Sequence, residues 1–121
     1  MIEIQNLKQF DLEERTFDFS KRVRAFAKKL PKTLVNIDDL RQLIRSSGSV
    51  GANYIEANEA LSKKDFILRI KICRKEAKES KYWLQLIDIA DNKETGQERI
   101  SLIKEANELT MIFGSIFRKS V

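Results

Sequence analysis

The spacing of the apolar residues constrains this chain most, because they recur three and four positions apart in four long segments. That period places apolar side chains on one face of an α-helix, whereas a strand needs alternation at every second residue. One proline and four glycines in 121 residues leave little material for turns. The pattern predicts one all-α domain over the whole chain, an antiparallel up-down-up-down four-helix bundle.

The predicted helices are bounded by recognisable start and stop signals. They occupy residues 11–30, 37–60, 63–90 and 96–117. Pro31 ends the first helix, because proline cannot continue the hydrogen-bond ladder. Asn36, Ser62 and Thr95 are predicted to cap the next three helices through side-chain acceptors. Residues 2–4 alternate in polarity and are the one segment that could form a strand.

The composition excludes several classes of site. Without any histidine, the Glu-x-x-His motifs of di-iron bundles are absent, so we expect no metal centre, no cofactor and no enzyme activity. Cys73 is the single cysteine, and it falls in the apolar rhythm of the third helix. An inert core residue is the expected role and a reactive thiol the alternative. No apolar run approaches about 20 residues and no secretory signal is visible, so we expect a cytoplasmic protein without membrane contact.

A polar stripe interrupts the second helix at steps of four and three. Its members are Gln42, Ser46, Ser49, Asn53 and Glu56. The stripe is either a solvated face or a contact surface, because the small residues within and beside it would let another helix approach closely. If the stripe is buried, its side chains need mutual hydrogen bonds.

Glu79 is the second polar exception, because it falls between apolar residues on one stripe of the third helix. A carboxylate there needs a partner, and the candidates are Asn53, Ser49, an arginine or backbone N–H groups. We expect a satisfied acid that fixes the register of the helices. A catalytic acid is the alternative, although no second catalytic group accompanies it.

The net charge of +5 is unevenly distributed along the chain. Residues 21–32 hold six basic residues and no acid, and residues 63–81 hold eight basic residues and three acids. The candidate contacts are Lys71, Arg74, Lys75, Lys78 and Lys81, extended by Arg24 and Lys28. Such a run is either a solvated face or a stripe that contacts phosphates without reading bases. Tyr82 lies beside it, where it could stack on a base.

The chain resembles the bacterial four helix bundle protein family, also called the 23S rRNA-intervening-sequence protein family, over nearly its whole length. The resemblance rests on residues 42–56 (QLIRSSGSVGANYIE), 62–66 (SKKDF) and 75–84 (KEAKESKYWL). The segments DLEERT at 11–16 and KLP at 29–31 fit one of its subgroups.

This resemblance implies an antiparallel bundle that often assembles into a ring-like homopentamer, which is a head-to-tail assembly. Some members are encoded inside intervening sequences of 23S rRNA genes. A related group of basic pentamers accompanies diversity-generating retroelements and binds nucleic acid and a reverse transcriptase, a role that does not transfer here. Members of the family commonly have proline where this chain has Gly51, and glycine where it has Ala57. The family pattern maps onto Gln42, Ser46, Ser49, Ala52, Asn53, Glu56 and Glu79.

The predicted function is a non-enzymatic, homo-oligomeric bundle that binds RNA or DNA through its basic helix faces. The alternative is a scaffold for protein–protein interaction, with a basic face that is merely solvated and a partner that the sequence does not identify. A third hypothesis, an enzyme that uses Glu79 or Glu56, requires a polar cavity that reaches solvent.

Overall fold

A computed structural model describes residues 2–121, with side chains described from residue 11 onward. Its helices are α1 (Ile2–Lys28), α2 (Leu34–Asn58), α3 (Lys63–Leu86) and α4 (Lys93–Ser120). Each helix packs against its neighbours in sequence, and α4 returns to pack against α1. Because the connections are short, consecutive helices run antiparallel, and the all-α four-helix bundle is confirmed.

The core forms where the apolar faces of the four helices meet. Its largest fully buried side chains come from every helix: Phe19, Phe26, Leu43, Ile70, Leu84, Leu109 and Phe113. Tyr54 adds an aromatic contact, with its ring centroid 5.6 Å from that of Phe113. Leu61 continues the apolar spacing of the second helix but lies outside the core, 99% exposed, because α2 ends three residues earlier.

The start of α2 differs from the prediction. Thr33 is the N-cap, and its side chain accepts a hydrogen bond of 3.2 Å from the backbone N–H of Asn36. Asn36 itself is fully buried inside the first turn. Its amide donates to the carbonyl oxygens of Pro31 and Asp88 at 3.1 Å and 2.8 Å, and its Oδ1 accepts from the N–H of Asp88 at 3.0 Å. Asn36 is therefore not the predicted N-cap. Its side chain joins the loop at Pro31 to the loop at Asp88.

Three other helix boundaries also moved. The helix α3 ends at Leu86, because Ile87 adopts an extended backbone and is buried under the loop. Asn92, rather than Thr95, caps α4 by accepting from the N–H of Thr95, which is buried in the first turn. The strand interpretation of residues 2–4 was wrong, since they belong to α1. Ser62 caps α3 as predicted.

Two glycines of α2 meet α1 at different distances. A Cβ atom on Gly51 would lie 3.0 Å from Oγ1 and 3.3 Å from Cβ of Thr16, which is buried, whereas one on Gly48 would meet only ordinary contacts of 3.5 Å or more.

Gly48→Ala should therefore raise the free energy of unfolding by about 1 kcal/mol through helix propensity. Gly51→Ala should not raise the free energy of unfolding, because overpacking of the new methyl group against Thr16 costs about 1–3 kcal/mol and offsets the gain in helix propensity.

Urea unfolding of both variants beside the wild type measures this difference, since each carries the same substitution in the same helix. An equal gain in both variants would show that α1 and α2 can separate without cost at Thr16.

Candidate nucleic-acid interface

The polar stripe of α2 faces α3 of the same chain. Ser46 and Ser80 are fully buried, with their hydroxyl oxygens 2.9 Å apart. Asn53 donates to the carbonyl and hydroxyl oxygens of Ser49, and its Oδ1 accepts from Arg69 at 3.1 Å. The stripe is thus a contact surface, and its small residues let α2 and α3 approach. The remaining two members are less enclosed, since Gln42 is half-buried and Glu56 is exposed.

Arg45 joins α2 to two carboxylates of α3. Its guanidinium donates to Glu76 at 3.0 Å and to Glu79 at 2.7 Å, and the indole N–H of Trp83 also donates to Glu79 at 3.2 Å. Burial alone would raise the pKa of Glu79, but the hydrogen bonds that Glu79 accepts from Trp83 and Arg45 hold that pKa below its usual value. Glu79 therefore has an arginine partner, which is one of the four candidates that the sequence left open. Glu76, which is only 6% exposed, was missed, because its neighbours in sequence are charged.

Cys73 lies in the core and not at a reactive surface. Its side chain is fully buried, and its Sγ donates to the carbonyl oxygen of Val50 at 3.4 Å. Burial raises the pKa of the thiol to about 12, so the nucleophilic thiolate is scarce at neutral pH.

We expect the folded protein to resist thiol reagents. Ellman's reagent at pH 8 should leave Cys73 unlabelled in buffer and should label one thiol per chain in 6 M guanidinium chloride. The thiol signal with and without denaturant is the measurement. Rapid stoichiometric labelling of the folded chain would contradict the buried position.

The predicted basic contacts of α3 lie together on its outer side. Lys71, Arg74, Lys75 and Lys78 are exposed and Lys81 is half-buried. The first four line a shallow cavity of about 530 Å³ with Leu68 and Ile72. Within residues 11–121, none of the five forms an ion pair.

The acids of α3 and α4 are all paired away from this surface. Arg69 holds Asp65 along the same helix, and Arg45 holds the other two acids of α3. On the opposite side, Arg15 of α1 and Lys29, which directly follows α1, form ion pairs with the four acids of α4: Glu94, Glu98, Glu105 and Glu108. Six of these seven carboxylates therefore pair between α2 and α3 or between the α1 side and α4, and the α3–α4 seam keeps its positive charge.

The positive surface continues onto the end of α4. Lys71 Nζ lies 5.9 Å from the ring centroid of Phe117, and Arg74 and Arg118 both approach Gly114. We call Lys71, Arg74, Lys75, Lys78, Lys81 and Arg118 the basic face. Sequence reasoning missed Arg118 because it lies 37 residues after Lys81, the last member of the α3 cluster; the local signal is that no acid follows Glu108.

Arg24 and Lys28 do not extend the basic face. They line a separate groove of about 650 Å³ between α1 and α2, with Lys32, Arg41 and the apolar residues Ala27, Ile37, Leu40 and Ile44. In the described chain, α1 and α3 have no close backbone contact. The predicted extension was therefore wrong, because these helices are diagonal in the bundle.

Neither a metal-ligand cluster nor a membrane span occurs in the part of the chain that the structure describes. No three potential ligands among cysteine, aspartate and glutamate converge there. No helix in that part combines the length and hydropathy needed to cross a bilayer.

Comparison with known proteins agrees with the fold. A family model described as 23S rRNA-intervening sequence protein matches residues 8–115. A crystal structure from Bacteroides thetaiotaomicron, described as a protein with unknown function from the S23 ribosomal protein family, aligns with a TM-score of 0.78 at 29% identity. That alignment covers 92% of this chain and 98% of the other. No curated protein matches the chain.

Proposed function

The chain belongs to the 23S rRNA-intervening sequence protein family, and from that premise we propose that it is a non-enzymatic, homo-oligomeric bundle that binds the phosphate backbone of nucleic acid. RNA is the first ligand to test and duplex DNA the second. The observation that carries the proposal is the basic face, where six cations share one surface while the acids of both helices are paired elsewhere.

The charge arrangement favours phosphate contacts because the cations are accessible and are not already neutralised. Lysine and arginine side chains on a nucleic acid displace condensed counterions, and this release supplies most of the sequence-independent affinity. Contacts to phosphates alone fix the position of a strand but carry no base specificity. We therefore expect binding that depends steeply on salt and little on sequence.

Apolar and aromatic side chains beside the cations favour a strand with accessible bases. Leu68 and Tyr82 are 54% and 55% exposed, and the Tyr82 ring lies edge-on to Trp83 with centroids 5.0 Å apart. Phe117 lies under the ammonium group of Lys71. Exposed rings next to a basic groove stack on bases in single-stranded segments, which structured RNA provides in its loops.

Fluorescence anisotropy with a structured RNA and a duplex DNA, at several salt concentrations, tests the proposal. We expect the logarithm of the affinity to fall linearly with that of the salt concentration, with a slope of about −0.9 per phosphate contacted on the duplex. The absence of binding to either ligand at 20 mM salt would overturn the nucleic-acid assignment.

Self-association is the second part of the proposal, and the face formed by α1 and α2 supports it. Phe17, Ile37 and Ile55 on these helices are 64%, 42% and 53% exposed. Burial of such apolar side chains favours association by about 25 cal/mol per Å² before the entropic cost of binding. Ser46 and Asn53 of the polar stripe are not available for this role, because they already contact α3. The family resemblance makes five copies the expected number.

Light scattering coupled to gel filtration tests this second part. We expect an oligomer for the wild type, and a folded monomer for Ile37→Glu/Ile55→Glu because two charges would be buried in the interface. A monomeric wild type at 100 µM would overturn self-association. It would leave the nucleic-acid assay interpretable, because that assay uses a different surface.

The groove between α1 and α2 favours the alternative, a protein-interaction scaffold. Its apolar floor and its rim of Arg24, Lys28 and Arg41 suit an acidic amphipathic segment of a partner protein. Two results would establish the scaffold function in place of nucleic-acid binding. The protein would not bind polyanions, and it would capture a partner protein that the Ile44→Glu variant no longer captures.

A further inference from the structure

Two arginines from different helices converge over Gly114, which is buried in α4. A Cβ atom on Gly114 would lie 3.3 Å from Nη1 of Arg118 and 3.6 Å from Nε of Arg74. Arg118 reaches this position because it follows Gly114 by four residues on one helix face. Arg74 reaches it from α3 across the seam. Two guanidinium groups are thus held over one point of the α4 backbone.

Neither guanidinium group is neutralised by the side chains described from residue 11 onward. Arg74 and Arg118 form no ion pair there and donate no hydrogen bond to that part of the chain. Two like charges held close together repel each other, and an anion placed between them converts that repulsion into attraction. The local electrostatics therefore favour a bound anion at this seam.

We propose that Arg74 and Arg118 form a phosphate clamp over Gly114. A guanidinium group presents its N–H donors in a planar fork, which can bind two oxygens of a phosphate together. The tetrahedral arrangement of phosphate oxygens lets one group face both helices, whereas a single fork already matches a planar carboxylate. The identification of a nucleic-acid strand as the source of the phosphate rests on the proposed function.

Two neighbouring residues support the clamp. Lys71 lies one turn before Arg74, and its ammonium group sits over the ring of Phe117, the residue next to Arg118. It therefore adds a third cation near the same phosphate. Gly114 leaves the space that the guanidinium groups occupy, because a methyl group there would press against Arg118 at 3.3 Å.

The side-chain Nε–Hε signals of arginine, observed by NMR in the full chain, test the clamp directly. Inorganic phosphate is the probe, and sodium chloride at matched ionic strength is its control. We expect phosphate to cause saturable shifts in two arginine signals, which Arg74→Gln and Arg118→Gln identify by removal. Each of these variants should weaken phosphate binding about tenfold, because it removes charge-assisted hydrogen bonds. Arg22→Gln on α1 should leave binding unchanged.

Gly114→Ala provides a variant that removes no charge. Its methyl group should displace the Arg118 guanidinium group and weaken phosphate binding, while the folded spectrum persists because alanine favours the helix. Shifts no larger than those caused by chloride, or shifts spread evenly over all arginines, would show that the two side chains merely pack against glycine and would overturn the clamp.

A nucleic-acid titration separates failure of the clamp from failure of the proposed function. With a duplex DNA, Arg118→Gln should reduce the magnitude of the salt slope by about 0.9, the loss of one phosphate contact. Wild-type binding with an unchanged slope in this variant would reject the clamp and keep nucleic-acid binding. Phosphate binding without any nucleic-acid binding would reject the nucleic acid as the source of the phosphate.

Discussion

Replacing Asn36 with alanine should lower the free energy of unfolding by about 3 kcal/mol, since it removes three hydrogen bonds that each contribute about 1 kcal/mol. The side chain makes three hydrogen bonds in a fully buried position, one to Pro31 and two to Asp88. Its loss leaves two carbonyl oxygens and one N–H without their partner, in loops that lie far apart in sequence. Urea unfolding followed by circular dichroism measures the change.

Thr33→Ala is the matched control for this prediction. Thr33 caps the same helix three residues earlier, with a single hydrogen bond to the N–H of Asn36. Loss of an N-cap costs about 1 kcal/mol, so the two variants should differ about threefold. A cost for Asn36→Ala no greater than that for Thr33→Ala would show that Asn36 acts only at the helix end and does not clamp the loop at Asp88.

Reversing the charge of Lys71, Arg74 and Lys78 to glutamate should lower the affinity for nucleic acid at least about 100-fold near 0.1 M salt. Three phosphate contacts would be replaced by repulsion, and the counterions would stay on the nucleic acid. The fold should persist, because these side chains are exposed and surface substitutions away from special contacts change stability by about 0.5 kcal/mol or less. Anisotropy measures the affinity, and urea unfolding checks the fold.

A control with the same change in net charge isolates the effect of position. Lys21, Arg22 and Lys93 lie on α1 and at the start of α4, away from the basic face. Their triple reversal to glutamate should reduce affinity by less than about tenfold, through long-range electrostatics that salt screens. Equal losses in the two triple variants would mean that net charge, and not the basic face, governs binding. An unchanged affinity in the first variant would reject the face outright.

The architecture followed from the sequence because it depends on a repeated local signal. Residues such as Phe19, Val23 and Phe26 recur with the helical period, and a helix with such a face must bury it against others. The cap at Ser62 was equally visible, because an N-cap and the N–H it binds lie within one turn. At Asn36 and Thr95 the same local signal was wrong by one turn. Several capping residues stood close together there, and burial decided among them.

The tertiary structure alone decided which charges remain free. The sequence shows acids and bases interleaved along α3, but it does not show which of them form ion pairs. In the structure, Glu76 and Glu79 pair with Arg45, and the acids of α4 pair with Arg15 and Lys29. The sequence also placed Arg24 and Lys28 with the wrong surface. Ion pairing acts through space between helices that are distant in sequence, so it leaves no periodic trace. Hydrophobic burial needs only an apolar face on each helix, and the spacing of apolar residues in the sequence already showed that face.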